Sequence, residues 1–202
     1  MPECRLLIAT TSAGKLREWE QLLSDLPLHV QTLAESGIDF DVEETGATFR
    51  QNAFLKAEAY GRASGLPTLA EDSGLCVAAL GGGPGVQSAR WEGDDYDHKN
   101  ALLIRLLEGK SGSARACRYA CVAVLRHPDG RTWDARGEVR GEIARTPAGT
   151  GGFGYDPVFF IPRLGRTLAE VAVDEKDRIS HRGRAARRIR PILRQLIEAR
   201  TA

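Results

Sequence analysis

A mixed α/β fold, one central sheet flanked by helices, follows from three features of the sequence. A strand pattern at Arg5–Ala9, apolar from Leu6 on, is followed by a helical pattern. A second helical pattern, after Thr48, leads to another apolar run at Thr68–Ala70. Two long strand-like runs then flank His127-Pro128-Asp129-Gly130, a turn signal. Strands alternating with helices early, and a hairpin later, predict a mixed sheet. With 202 residues, 42% of them hydrophobic, the chain can bury a sizeable core as a single domain over 1–202.

Arg5–Ala9 predicts a buried strand, followed by a short polar turn. In the helix after it, Leu16, Trp19, Leu22 and Leu23 mark one apolar face at helical spacing. Thr48 and Gln51 have the spacing of a capping box and open a helix that runs towards Gly65. Thr68–Ala70 predicts a short strand ending at Glu71-Asp72-Ser73-Gly74, and Gly81–Gly85, with Pro84, predicts a loop. Lys99–Glu108 predicts a short helix with Leu102, Leu103, Leu106 and Leu107 inward. Ala114–Leu125 predicts a strand and Trp133–Ile143 its antiparallel partner. A glycine-rich loop, Ala148–Pro157, leads into the apolar run Val158–Ile161. The last helix begins near Ser180, carries Ile189, Ile192, Leu193, Leu196 and Ile197 on its apolar face, and is expected to kink at Pro191.

Composition excludes several functions. With 28 Lys+Arg against 27 Asp+Glu the net charge is +1, which argues against coating nucleic acid by bulk electrostatics. No apolar run approaches a membrane span, and Leu6–Ala9 is too short for a secretory signal. Of the four cysteines, Cys4, Cys76, Cys117 and Cys121, only the last two are close, and their spacing in a strand fits no common zinc pattern. They read as packed thiols of a reducing compartment. The expectation is a cytoplasmic protein without membrane or nucleic-acid partners.

Four constellations could carry chemistry, each with two readings. Thr10, Thr11, Ser12, Ala13, Gly14 and Lys15 join a strand end to a helix start, which suits an anion such as a triphosphate; the alternative is an ordinary turn whose hydroxyl caps the helix. The pattern is not a Walker P-loop, since it has one glycine and Leu16 follows the lysine. The doublets Glu43-Glu44 and Glu71-Asp72 each send one carboxylate to each face of an extended segment, so two can converge on a magnesium ion; the alternative is solvated acid. Gly149–Pro157 combines glycines with Phe153, Tyr155 and Asp156, as a nucleobase pocket or as a loop with packed aromatics. Lys176, His181 and Arg182 surround a helix start at Ser180, where cations oppose the helix dipole unless an anion binds; alternatively Arg182 pairs with Asp174 or Glu175.

Taken in order, the motifs A-T-T-S-A-G-K (Ala9–Lys15) with Glu18, E-E-T-G-x-T-F (Glu43–Phe49), N-A-x-x-K-A (Asn52–Ala57), D-S-G-L (Asp72–Leu75), G-G-x-P-G-V-x-S-A-R (Gly81–Arg90), P-A-G-T-G-G-F-G-Y-D-P (Pro147–Pro157), and Lys176 with I-S-H-R (Ile179–Arg182) span the chain. Over its full length it resembles the inosine triphosphatase family, the non-canonical purine (XTP/dITP) pyrophosphatases. The resemblance implies an elongated α/β fold with two lobes around a deep cleft, commonly as a homodimer. It implies Mg2+-dependent hydrolysis of dITP, ITP or XTP to the monophosphate and pyrophosphate. Asp72 is then the general base and, with Glu44, holds magnesium. Thr10–Lys15, Lys56 and Ser73 grip the triphosphate, and Phe153, Gly154, Tyr155, Asp156, Lys176, His181 and Arg182 recognise base and sugar-phosphate. Two departures stand out: Ser12 replaces the usual asparagine, and Glu71 precedes Asp72 where many bacterial members have a second aspartate. Two rival readings stay open here, a Maf-like nucleotide pyrophosphatase and a nucleotide-binding sensor without turnover.

Overall fold

The computed structural model describes residues 4–201. Among them are the strands β1 (Arg5–Ala9), β2 (His29–Gln31), β3 (Thr68–Val77), β4 (Ala116–Arg126), β5 (Thr132–Ile143), β6 (Phe159–Ile161) and β7 (Arg166–Thr167). They form one mixed sheet in the order β2-β1-β3-β4-β5-β6-β7. The helices are α1 (Ala13–Leu23), α2 (Phe49–Ser64), α3 (Tyr96–Leu106), α4 (Val173–Ile179) and α5 (His181–Thr201). None is long and apolar enough to cross a membrane, and all four cysteines are free thiols. The chain divides into two compact units. The first holds the chain up to Asp72, Cys121–Gly137 and the residues from Arg182 onward; the second holds Ser73–Ala120 and Glu138–His181.

In the first unit β1 runs parallel to both β2 and β3, with Leu7 opposite Gln31 and Thr68. Strand alternation sorts its side chains. Leu6, Ile8 and Leu69 pack with Trp19 and Leu23 of α1 and with Ala185, Ile189 and Leu193 of α5. Leu7, Ala9 and Ala70 pack with Ala53, Ala57 and Tyr60 of α2. Burial on both faces is why Leu6–Ala9 reads as one continuous apolar run. The capping box at Thr48 and Gln51 is formed, and Gly65, at φ +64°, ends α2 in the left-handed region that favours glycine. The turn after β4 closes with His127 N–H donating to the Arg131 carbonyl at 2.9 Å, and a connection this short joins antiparallel neighbours only.

The second unit packs Leu75, Val77, Cys117, Tyr119 and Val139 of its strands against Leu103 and Leu107, with Val158, Phe159 and Leu168 completing the cluster. β6 pairs antiparallel with both β5 and β7.

Several expectations are corrected. β3 does not end at Ala70 but continues to Val77, so Glu71-Asp72-Ser73-Gly74 lies inside a strand. Acidic residues are tolerated there because donors meet them, as described below. α3 begins at Tyr96, because the Asp95 side chain caps it by accepting from Asp97 N–H. Of the four leucines expected to face inward, only Leu103 and Leu107, the latter just past the end of the helix, are buried, while Leu106 is 43% exposed; the four span a wider arc than the unit covers. The short elements β2, β7 and α4 were not anticipated, being too brief to show a period. α5 begins at His181, directly after Ser180, and carries Pro191 in its interior.

Candidate functional site

In the first unit, alternation along β3 sends Glu71 and Asp72 to opposite faces, and each meets a different environment. Glu71 faces α1 and α5. Its carboxylate accepts from Trp19 Nε1 at 3.2 Å, Cys121 Sγ at 3.1 Å, and Arg182 Nε and Nη2 at 2.8 Å each, and it pairs with Lys15 Nζ at 3.2 Å. Arg182 Nη1 goes to Glu18. Glu71 and Arg182 are 2% and 1% exposed. Bare charges so deep would be prohibitive; here each is paired and hydrogen-bonded. Burial opposes the charge of Glu71, but Arg182 and Lys15 outweigh it and hold its carboxyl well below the usual glutamate range. Burial likewise opposes the charge on Lys15. Glu71, with help from Asp72, outweighs both that and the repulsion of Arg182, so Lys15 sits above the ordinary lysine value.

Asp72 faces α2. Its Oδ2 accepts from Asn52 Nδ2 at 3.0 Å, and one turn along the same helix Lys56 pairs with Glu44. Burial pushes the Asp72 carboxyl up; Lys56 and Lys15 pull it back, Glu44 adds to the rise, and the net shift is upward. The result is a carboxylate with enhanced basicity beside two lysines. Glu43, in contrast, is exposed.

Thr10–Lys15 joins β1 to α1. Ser12 Oγ caps α1 by accepting from Lys15 N–H at 3.4 Å, and Thr10 Oγ1 accepts from Ser12 N–H at 3.2 Å. The capping reading is therefore realised, and it is compatible with the anion reading. No acid lies in the first turn of α1, so no side chain there offsets its N-terminal partial charge.

Asp72 and Glu44 are also the groups that fit a metal. They are hard oxygen donors whose charges act on each other. Magnesium takes one or two carboxylates and completes its shell with phosphates and water. Among the described residues no three His, Cys, Asp or Glu side chains gather into a fuller cage.

The second unit carries the glycine-rich loop and α4. Asp156 Oδ2 accepts from Phe153 N–H at 2.9 Å and from Lys176 Nζ at 2.6 Å, and Lys176 Nζ lies 5.4 Å from the centre of the Phe153 ring. Gly152 makes this possible: at φ +72° a Cβ would stand 2.1 Å from Asp156 Oδ2. Asn100 Nδ2 donates to the Gly154 carbonyl at 3.1 Å. Tyr155 is 2% exposed, its N–H donating to Tyr119 Oη and its own hydroxyl to the Ser88 carbonyl, so it belongs to the core and offers no open stacking face. Phe153 is half-buried. His181 stacks on Tyr119 at 4.5 Å and 12°, and Tyr119 on Phe159 at 4.8 Å and 19°. Ser73, half-buried, begins this unit directly after Asp72.

Arg182 parts company with its sequence neighbours. It pairs with Glu71 and Glu18 of the first unit, and Glu175 is engaged by Arg166 at 3.0 Å instead. Sequence reasoning also passed over Asn52 and Trp19 as site residues. Asn52 had a usable signal, since it precedes Lys56 by four positions and so shares its helix face.

The sequence pattern of the Ham1 family matches residues 6–192. A dITP/XTP pyrophosphatase of Streptomyces avermitilis is 47% identical over 96% of this chain and 98% of its own length. One from Escherichia coli O157:H7 is 47% identical over 94% and 98%. Among solved structures, the Ham1 protein of Staphylococcus aureus has a TM-score of 0.83 at 38% identity, over 95% of this chain and 98% of that one. A HAM1 protein from Coxiella burnetii has a TM-score of 0.84, also at 38% identity, over the same shares.

Proposed function

The chain belongs to the Ham1 family, and from that membership we propose that it hydrolyses non-canonical purine nucleoside triphosphates (dITP, ITP and XTP) to the monophosphate and pyrophosphate. The observation that carries the chemistry is Asp72, a buried carboxylate with raised basicity, beside Lys15, Lys56 and Glu44. Asp72 takes a proton from the water that attacks the α-phosphorus, which general bases of this kind accelerate by roughly 10²–10⁴-fold. Pyrophosphate leaves from the opposite side. Lys15, Lys56, Ser73 and the Thr10–Gly14 turn hold the phosphate chain, and their charge favours the departing group. Magnesium, held by Asp72 and Glu44, supplies neutralisation of phosphate charge when bound.

Phe153, Gly154, Asp156, Lys176, His181 and Arg182 recognise the base and sugar-phosphate, with Tyr155 supporting the loop from within. Cationic donors suit a 6-oxo purine; adenine's 6-amino group would set donor against donor, at about 1–3 kcal/mol per unpaired buried group. Guanine keeps the oxo group and must be rejected at its 2-amino substituent. The free thiols suit a cytoplasmic setting, and the proposed assembly is a homodimer, which sedimentation tests. The deciding experiment measures pyrophosphate release from dITP, ITP, XTP, GTP and ATP with magnesium, and again with EDTA. The expected kcat/KM for the first three exceeds that for ATP by about 10⁴-fold, with GTP between. Equal efficiency on ATP and dITP overturns the proposed substrate class, and nucleotide binding without pyrophosphate release overturns catalysis.

A further inference from the structure

We infer that Asn52 is a positioning residue that ties the turn carrying Glu44 to the Asp72 carboxylate through one side-chain amide. Asn52 is fully buried in the first turn of α2. Its Oδ1 accepts from Gly46 N–H at 2.7 Å and its Nδ2 donates to Asp72 Oδ2 at 3.0 Å. The orientation of the amide is dictated by these partners, because a backbone N–H can only donate and an ionised carboxylate can only accept. A flipped amide would set donor against donor at one end and acceptor against acceptor at the other. The fit leaves no slack: a Cβ on Gly46 would meet Asn52 Oδ1 and Gln51 Cβ, both at 2.6 Å. The capping box of Thr48 and Gln51 fixes where α2 begins, so Asn52 is itself held by backbone structure. One amide thereby sets the rotation of Asp72 and the position of the chain two residues after Glu44. Lys56, one helical turn on, secures Glu44 from its side chain.

This inference rests on the proposed roles of Asp72 and Glu44 and adds what keeps them in register. Outer-shell partners of metal-holding groups typically contribute 10–100-fold in activity or metal affinity. The test compares wild type with Asn52→Leu, which matches the size but removes both hydrogen bonds. Three quantities are measured: kcat and KM for dITP, manganese affinity by calorimetry without nucleotide, and thermal unfolding. The expected result for Asn52→Leu is a folded protein with kcat reduced about 10- to 100-fold, manganese affinity reduced about tenfold, and KM within about threefold. Should that variant not fold, Gly46→Ala takes its place, since the added methyl must push the amide away while both groups it binds remain. Wild-type kcat and manganese affinity in a folded variant, or a loss confined to KM, overturn the inference. So does a wild type that binds no manganese. A wild type that binds manganese but releases no pyrophosphate from dITP overturns the proposed function alone, and the manganese comparison still decides the role of Asn52.

Discussion

The two units differ in how much of their candidate set rests on irregular chain. In the first, most of the polar and charged groups stand on regular elements, with Glu71 and Asp72 in β3, Lys15 in α1, Asn52 and Lys56 in α2 and Arg182 in α5, while Glu44 lies on the chain before α2, and they bind one another. In the second, Lys176 and His181 stand on helices, but Phe153 sits on a loop, and Asp156 in the short helical turn that follows it; the loop's shape depends on Gly152, on Tyr155 N–H donating to Tyr119 Oη and on Asn100 Nδ2 donating to the Gly154 carbonyl. Strands and helices place charge rigidly, as reaction chemistry requires. A loop can be reshaped without dismantling the core, as selectivity requires. The first unit should therefore fail in rate or stability when a charge is deleted, and the second in discrimination.

The largest expected effect is Glu71→Ala. It leaves Arg182 and Lys15 without their shared buried carboxylate, and breaking a buried pair this way costs about 3–5 kcal/mol. Urea unfolding at neutral pH reads this directly. The pH dependence has a definite sign, because the folded pKa of Glu71 is lowered. Its stabilisation is complete above the ordinary value of 4.5 and is lost as pH falls through the lowered one. The gap between wild type and variant should thus close in acid. A gap below about 1 kcal/mol at neutral pH breaks the picture of an interdependent charge network.

Next is Asp72→Asn. It should lower kcat on dITP by about a hundredfold or more while nucleotide binding and unfolding temperature hold. A smaller loss removes Asp72 as general base and with it the first unit's claim on the chemical step.

In the second unit, Gly152→Ala forces a methyl against Asp156 and places a side chain at φ +72°. The expected outcome is a roughly tenfold fall in the kcat/KM ratio of dITP over ATP, equivalent to one lost polar discrimination of about 1.4 kcal/mol. The unfolding free energy should fall by about 1–2 kcal/mol. Unchanged selectivity with a collapsed kcat would erase the division between the units.

The smallest effect is expected from Ser12→Asn. Asparagine caps helices as well as serine does, so stability should move by less than about 0.5 kcal/mol. KM for dITP should stay the same or fall, because the amide brings back a donor. Complete inactivation of a folded variant would mean that the turn before α1 handles phosphate differently from its relatives.

Much of the fold was legible. β1, the helix from the Thr48 capping box to Gly65 and the hairpin around His127 lie close to where spacing and turn residues put them. The sequence names candidate site residues but not the partners each of them meets. Arg182 and His181 are adjacent in sequence, yet one is clamped between carboxylates and the other lies flat on Tyr119, and neither partner could be read from the segment itself. Tyr155 looked like a stacking surface and is core. Asn52 lies inside the N-A-x-x-K-A motif, but an asparagine near a helix start is more often a cap or a surface residue, so its buried partners are set by the fold.

What the sequence determined by itself was whatever depends on neighbours within a few turns of chain: period, caps, turn residues and the alternation that sends Glu71 and Asp72 to different faces. Local sterics and backbone hydrogen bonding act at that range, so a string of residues encodes them directly. The tertiary structure decided what those faces meet. Glu71 and Arg182 are 111 positions apart, and their pairing follows from β3 and α5 packing on the same side of the first unit's sheet. Nothing in either segment specifies the other, because a buried charge selects its partner by proximity after the chain has folded, when water can no longer solvate it instead.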